Sequence, residues 1–138
     1  MIVFVKISFI IQYFKHEDNL EAILNALQTI AASLRSFTLE VLVHFDSARA
    51  ADVALRKRLK KAAATPPGFA FKLVLLQSGN VHEIRGYNKA FVVSRGELVC
   101  FMQDDDLLFD LSGEFILNAL KAFENDEKLA VAGFKKGK

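Results

Sequence analysis

From residue 3 to residue 134, apolar runs of strand length alternate with stretches whose apolar residues return every three or four positions. Few architectures accept that alternation. Strands that are apolar at nearly every residue must be covered on both sides, and intervening helices supply the cover. The chain therefore reads as α/β, with a mostly parallel open sheet and helices on both faces. Strands are expected at residues 3–11, 39–45, 69–76, 98–102 and 129–134. In "HEDNLEAILNALQTIAASL", Leu20, Ile23, Leu24, Leu27, Ile30, Ala31 and Leu34 share one helical face, and Asp18 and Glu21 have capping-box spacing. A second helix over residues 50–64 carries Val53, Leu55 and Leu59 and stops at "TPPG". A short third helix presents Ile84, Tyr87 and Phe91 and ends near Gly96; a fourth, over residues 112–125, packs through Phe115 or Ile116, Ala119, Leu120 and Phe123.

Residues 1–138, 52% hydrophobic and 25% charged, suffice for a single domain with its own core. A net charge of +2 does not point to nucleic acid, and the dense block "RKRLKK" at residues 56–61 fits the solvated face of the second helix. The lone Cys100 lies in an apolar run, as a small buried hydrophobe would, and forms no intrachain disulfide. "MIVFVKISFIIQYF" is interrupted by Lys6 and falls short of the roughly 18–20 apolar residues that span a bilayer. It reads as a buried strand, so with no signal or transmembrane segment the expected location is cytoplasmic or peripheral to a membrane.

In an open parallel sheet, ligands bind beyond the carboxyl ends of the strands. The polar residues expected there are Gln12, Tyr13, Phe14 and Lys15 after the first strand, Asp46 after the second, Gly79, Asn80 and His82 after the third, and Gln103 with Asp104, Asp105 and Asp106 after the fourth. Three adjacent carboxylates repel one another, and a hard divalent cation would offset that charge: Mg²⁺ commonly takes one or two carboxylates and completes its shell with phosphate oxygens and water. A solvated loop or helix cap gives the same acidic spacing, and Asp46 equally suits ordinary capping at a strand-to-helix junction. If strand geometry persists, Asp104 and Asp106 share a side; a turn changes that. His82 has no second histidine or cysteine at ligand spacing. A G-x-G-x-x-G fingerprint, a Walker A loop and a G-x-S-x-G elbow are all absent.

Three segments carry a resemblance: "ISFIIQYFKHEDNLEAILNAL", "LEVLVHFDSA" and "GNVHEIRGYNKAFVVSRGELVCFMQDDDL". Together they resemble the opening strand, nucleotide-contacting loop and first helix, the second strand, and the asparagine-bearing helix, glycine, fourth strand and D-x-D metal motif of a family 2 glycosyltransferase. The likeness is to the nucleotide-sugar-binding half of its Rossmann-like GT-A fold and extends over residues 6–134. The chain departs from the family pattern at Phe45, where the first of two paired aspartates usually stands, at Gln103, where the metal motif usually opens with aspartate, and at Tyr87, where arginine often precedes the helix asparagine.

The resemblance implies metal-dependent hexosyl transfer from a nucleotide diphosphate sugar to an acceptor hydroxyl, with inversion and with Mn²⁺ or Mg²⁺ as cofactor. By the same likeness, Gln12 and Phe14 lie along the base, Asp46 accepts a hydrogen bond from it, Asn88 and Arg85 serve the diphosphate, and Asp104 serves ribose or metal. Asp105 leads as metal ligand, with Asp106 beside it. The family's catalytic base lies in the acceptor-binding half, downstream of the metal motif, so the catalytic residue here is unknown and truncation at the C-terminus is expected. The acceptor, whether glycan, lipid or protein, is unspecified, and sheet surface left uncovered favours self-association. A nucleotide-sugar binding module without turnover is the alternative. A receiver domain would carry acids after its first strand, and a nucleotidyltransferase a glycine-rich basic loop; neither is present.

Overall fold

The computed structural model describes residues 5–34, 36–106, 108 and 111–132. Strands and helices alternate within them: β1 (Val5–Tyr13), α1 (Glu17–Ser33), β2 (Phe37–Phe45), α2 (Ala50–Ala64), β3 (Lys72–Gln77), α3 (His82–Val93), β4 (Leu98–Gln103) and α4 (Glu114–Asn125). The sheet order is β3-β2-β1-β4, and all three pairings are parallel. Phe9, opposite Val41 on one side and Cys100 on the other, shows the register at the centre. The chain steps outward from β1 to β3, then returns across β1 to lay down β4. The topological switch therefore lies between β1 and β4.

Alternation along the two central strands feeds two unequal layers. Ile7, Phe9, Ile11 and Tyr13 join Leu39, Val41, Val43 and Phe45 in the main core, closed by Leu20, Ile23, Leu24, Leu27 and Ile30 of α1, Leu55 and Leu59 of α2, and Ile116 of α4. Each large apolar side chain buried there contributes roughly 1.5–3 kcal/mol. On the second face Ile10 and Leu42 meet Ala90 of α3. By the same alternation Ser8, Gln12, Glu40 and His44 belong to this face, and all four are buried. Glu40 accepts hydrogen bonds from the Ser8 hydroxyl (2.7 Å) and the Arg95 backbone N–H (2.9 Å), so the small second layer is substantially polar.

Several expectations change. Helix α3 does not pack through Ile84 and Phe91, which are 76% and 52% exposed; Gly86 and Ala90, four residues apart, are its buried positions, with Tyr87 half-buried beside them. Only small residues allow a helix to approach this polar face closely. The capping box does not form either: helix α1 starts at Glu17, His16 caps it without a side-chain hydrogen bond, and Asp18 falls in the first turn, where it complements the helix dipole. Leu129, Ala130, Val131 and Ala132 lack the ladder that would make them a strand, and the remaining residues of that expected strand, with Val3 and Phe4 of the first, lie outside the described residues.

The basic block does lie on the outer face of α2, where Arg58 pairs with Glu17. Burial in β4 pushes the Cys100 thiol up to about 12, with Asp106 adding to the effect, in keeping with a packing residue. Among the described residues no helix is long and apolar enough to cross a membrane.

Candidate functional site

A cleft of about 310 Å³ opens at the carboxyl ends of the strands. Its walls are Gln12, Phe14 and His16 from the end of β1, Asp46 from β2, Asn80, His82 and Glu83 from the start of α3, and Gln103, Asp104 and Asp105 from β4. A larger hollow, about 760 Å³, runs along β4 past Phe91, Leu98, Phe101, Phe123 and Val131. It is mainly apolar and lies away from the strand ends. The cleft gathers carboxylates, amides, imidazoles and an exposed aromatic ring at the switch between β1 and β4, where a parallel sheet leaves backbone and side-chain polar groups open to a ligand.

The acidic triplet does not continue the strand. β4 ends at Gln103, and a turn follows in which Asp106 N–H bonds to the Gln103 carbonyl (3.0 Å) while Asp106 Oδ2 accepts the Gln103 N–H (2.9 Å). Asp104 is 6% exposed; its Oδ2 accepts the Phe14 N–H at 2.7 Å, tying the β1 loop to β4. Burial raises the Asp104 pKa, opposed by the Phe14 hydrogen bond and the nearby His16. Asp105 is exposed, lines the cleft and has no hydrogen-bond or ion-pair partner among the described residues. The turn thus brings Asp104 and Asp105 to the cleft and leaves Asp106 outside its walls.

Asp46 is buried, and both its carboxylate oxygens are engaged: Oδ1 accepts from Val81 N–H (2.7 Å) and Oδ2 from His82 N–H (2.9 Å). It fastens the entry to α3. Lys15, Asn80 and His82 all adopt left-handed backbone, with φ of 67°, 54° and 69°, which non-glycine residues rarely hold without support from their surroundings. All three are at or next to the rim. Phe14 is 44% exposed, and the Lys15 ammonium lies 4.7 Å from its ring centroid.

Beneath the cleft, His44 Nδ1 is 2.8 Å from Gln12 Oε1, and His44 Nε2 is 2.8 Å from Ser78 Oγ. Lys89 Nζ donates to Ser78 Oγ at 2.9 Å and to the Gln77 carbonyl. Burial lowers the His44 pKa; Asp46 opposes the shift and Lys89 reinforces it. On the core side, Asp52 accepts from Tyr13 (3.2 Å), Ser47 and both Arg49 Nε (2.9 Å) and Nη2 (3.0 Å), which anchors the loop after β2.

Of the residues named from sequence, Gln12, Phe14, Asp46, Asn80, His82, Gln103, Asp104 and Asp105 line one cleft. Arg85 and Asn88 are exposed on α3 and do not line it. His16 and Glu83 line it without having been named, and His44 supports it; a histidine four residues after Glu40 in the mainly apolar "LEVLVHF" was the available signal. Among the described residues no group of three or more His, Cys, Asp or Glu side chains is placed to hold a metal. The unpartnered Asp105 beside Asp104 still fits a hard cation that takes only one or two carboxylates and draws its other ligands from phosphate and water.

No family model and no curated protein matches the sequence. Solved structures do. Staphylococcus aureus TarS, a family 2 glycosyltransferase, is 18% identical over 87% of this chain, with a TM-score of 0.57 against the 1–349 chain and 0.59 against a longer TarS chain. This chain covers 32% of the first and 20% of the second. An α/β chain with an all-parallel sheet covered on both faces, it shares the fold of the matched part of TarS.

Proposed function

We propose that the cleft binds a nucleotide diphosphate sugar and that this chain forms the donor-binding half of a glycosyltransferase acting with inversion on an acceptor hydroxyl. The observation that carries this reading is the meeting of Asp104 and Asp105 with Phe14 and Gln12 at the β1–β4 switch. A flat ring suits a base, and the free carboxylate of Asp105 suits a cation shared with a diphosphate. Asp105, with Asp104 beside it, would hold Mn²⁺ or Mg²⁺, which supplies charge neutralisation on the departing diphosphate. Asp104 supports this in its own right: its ionised form is disfavoured by burial, and a neighbouring cation would offset that cost.

This chain's residues bind and orient. Phe14 and Gln12 bound the base end, Asp46 holds the α3 entry in place, and the Phe14–Asp104 hydrogen bond keeps the two ends of the cleft at a fixed separation. Isothermal titration with UDP and GDP, in Mn²⁺ and in chelator, tests the reading. Asp105→Ala should abolish the metal-dependent part of binding, a loss of about tenfold or more, whereas Arg56→Ala on the outer face of α2 should leave it intact. Equal affinity in the Asp105 variant overturns the assignment. Metal-dependent sugar transfer to added acceptor would separate an enzyme from a binding module without turnover.

A further inference from the structure

Gln12 is a buried amide in the wall of the cleft. It is 7% exposed, its Oε1 faces His44 Nδ1 at 2.8 Å, and its Nε2 has no hydrogen-bond partner among the described residues. Among the described residues no buried side-chain nitrogen or oxygen lacks a partner, so Nε2 reaches the cleft that Gln12 lines. The direction of the hydrogen bonds follows from the two ends of the chain. A lysine ammonium only donates, so Ser78 Oγ accepts from Lys89. At the near end the Gln12 carbonyl oxygen can only accept, so the neutral His44 ring carries its proton on Nδ1, and its bare Nε2 accepts from the Ser78 hydroxyl. Burial and Lys89 both favour the neutral ring, against the pull of Asp46.

Space has been cleared for this contact. A Cβ on Gly86 would lie 2.2 Å from Gln12 Oε1 and 2.6 Å from His44 Nδ1. Apolar side chains would fill the gap between helix and sheet at lower desolvation cost than an amide and an imidazole, so stability alone does not account for the pair.

We infer that His44 is a positioning residue that locks the Gln12 amide with its NH₂ toward the cleft, where it reads a carbonyl oxygen on the base edge and so selects 4-oxo or 6-oxo bases, uracil or guanine, over their amino counterparts. This rests on the nucleotide-binding reading above. An amide donor opposite a carbonyl is paired; opposite an amino group, donor faces donor and both lose water without compensation.

The test is the ratio of affinities within each matched pair, UDP against CDP and GDP against ADP, by titration calorimetry in Mn²⁺. The wild-type chain should favour at least one oxo member by about tenfold or more. Gln12→Glu replaces the donor with an acceptor and should bring that ratio to about one or invert it. Gly86→Ala, which leaves the chemistry of Gln12 unchanged but drives a methyl into its Oε1, should also collapse the ratio. His44→Asn, whose amide nitrogen can stand where Nδ1 stands, should preserve the ratio that His44→Leu loses. Equal affinities in the wild type, or a ratio unmoved by both Gln12→Glu and Gly86→Ala, overturns the inference while leaving nucleotide binding intact. Failure of all four nucleotides to bind overturns the nucleotide-binding reading as well.

Discussion

His44 is fully buried in the sheet, facing Gln12 from β1, Ser78 after β3 and Lys89 from α3, with Asp46 two residues along its own strand. Its pKa is lowered, so between its ordinary value and its folded value the unfolded chain binds a proton that the folded chain does not. The stabilisation is fully present above the ordinary histidine value and is lost as pH falls through the folded one. Thermal denaturation from about pH 7.5 to about pH 5.5 should show a falling Tm, and His44→Asn should flatten that part of the curve. Residue chemistry of this kind was only partly legible in the sequence. Gln12, Phe14, Asp46, Asp104 and Asp105 could be placed in one cleft because strand ends are visible as the limits of apolar runs. The partners they took could not, since the turn at Gln103 that separates Asp105 from Asp106 depends on side-chain-to-backbone bonds that leave no periodic trace.

Among the elements, α3 shows where pattern reading succeeds and where it stops. Its existence followed from spacing, and the 50–64 helix matched its expected bounds, because periodicity and the "TPPG" stop are local properties. The face that α3 buries is set by its partner surface instead. Gly86 and Ala90 lie against the polar second layer, while Ile84 projects outward. Ala90→Leu should therefore destabilise the chain by about 1–3 kcal/mol through overpacking, although it adds hydrophobicity. Ile84→Ala should stay within about 0.5 kcal/mol of wild type. Urea unfolding followed by circular dichroism distinguishes the two; a large loss from Ile84→Ala would contradict the assignment of the buried face.

At the scale of the whole molecule, β4 ends the sheet on its side among the described residues. Among the described residues no strand pairs with its outer side, and Phe101, 50% exposed, stacks edge-on with Tyr87 at 5.1 Å and lies 6.4 Å from Phe91. An open edge flanked by aromatic surface favours association between copies. Sedimentation velocity across a concentration series should show self-association, and Phe101→Lys should weaken it; a wild-type chain that stays monomeric throughout would contradict the expectation. The unequal layers of the sheet have another consequence. Adhesion resides chiefly under α1, α2 and α4, while much of the discriminating chemistry lies against α3, so the sheet acts as a partition between foundation and instrument. Descendants of such a chain can drift in what they select, by a few exchanges on one side of that wall, while inheriting the other side unaltered.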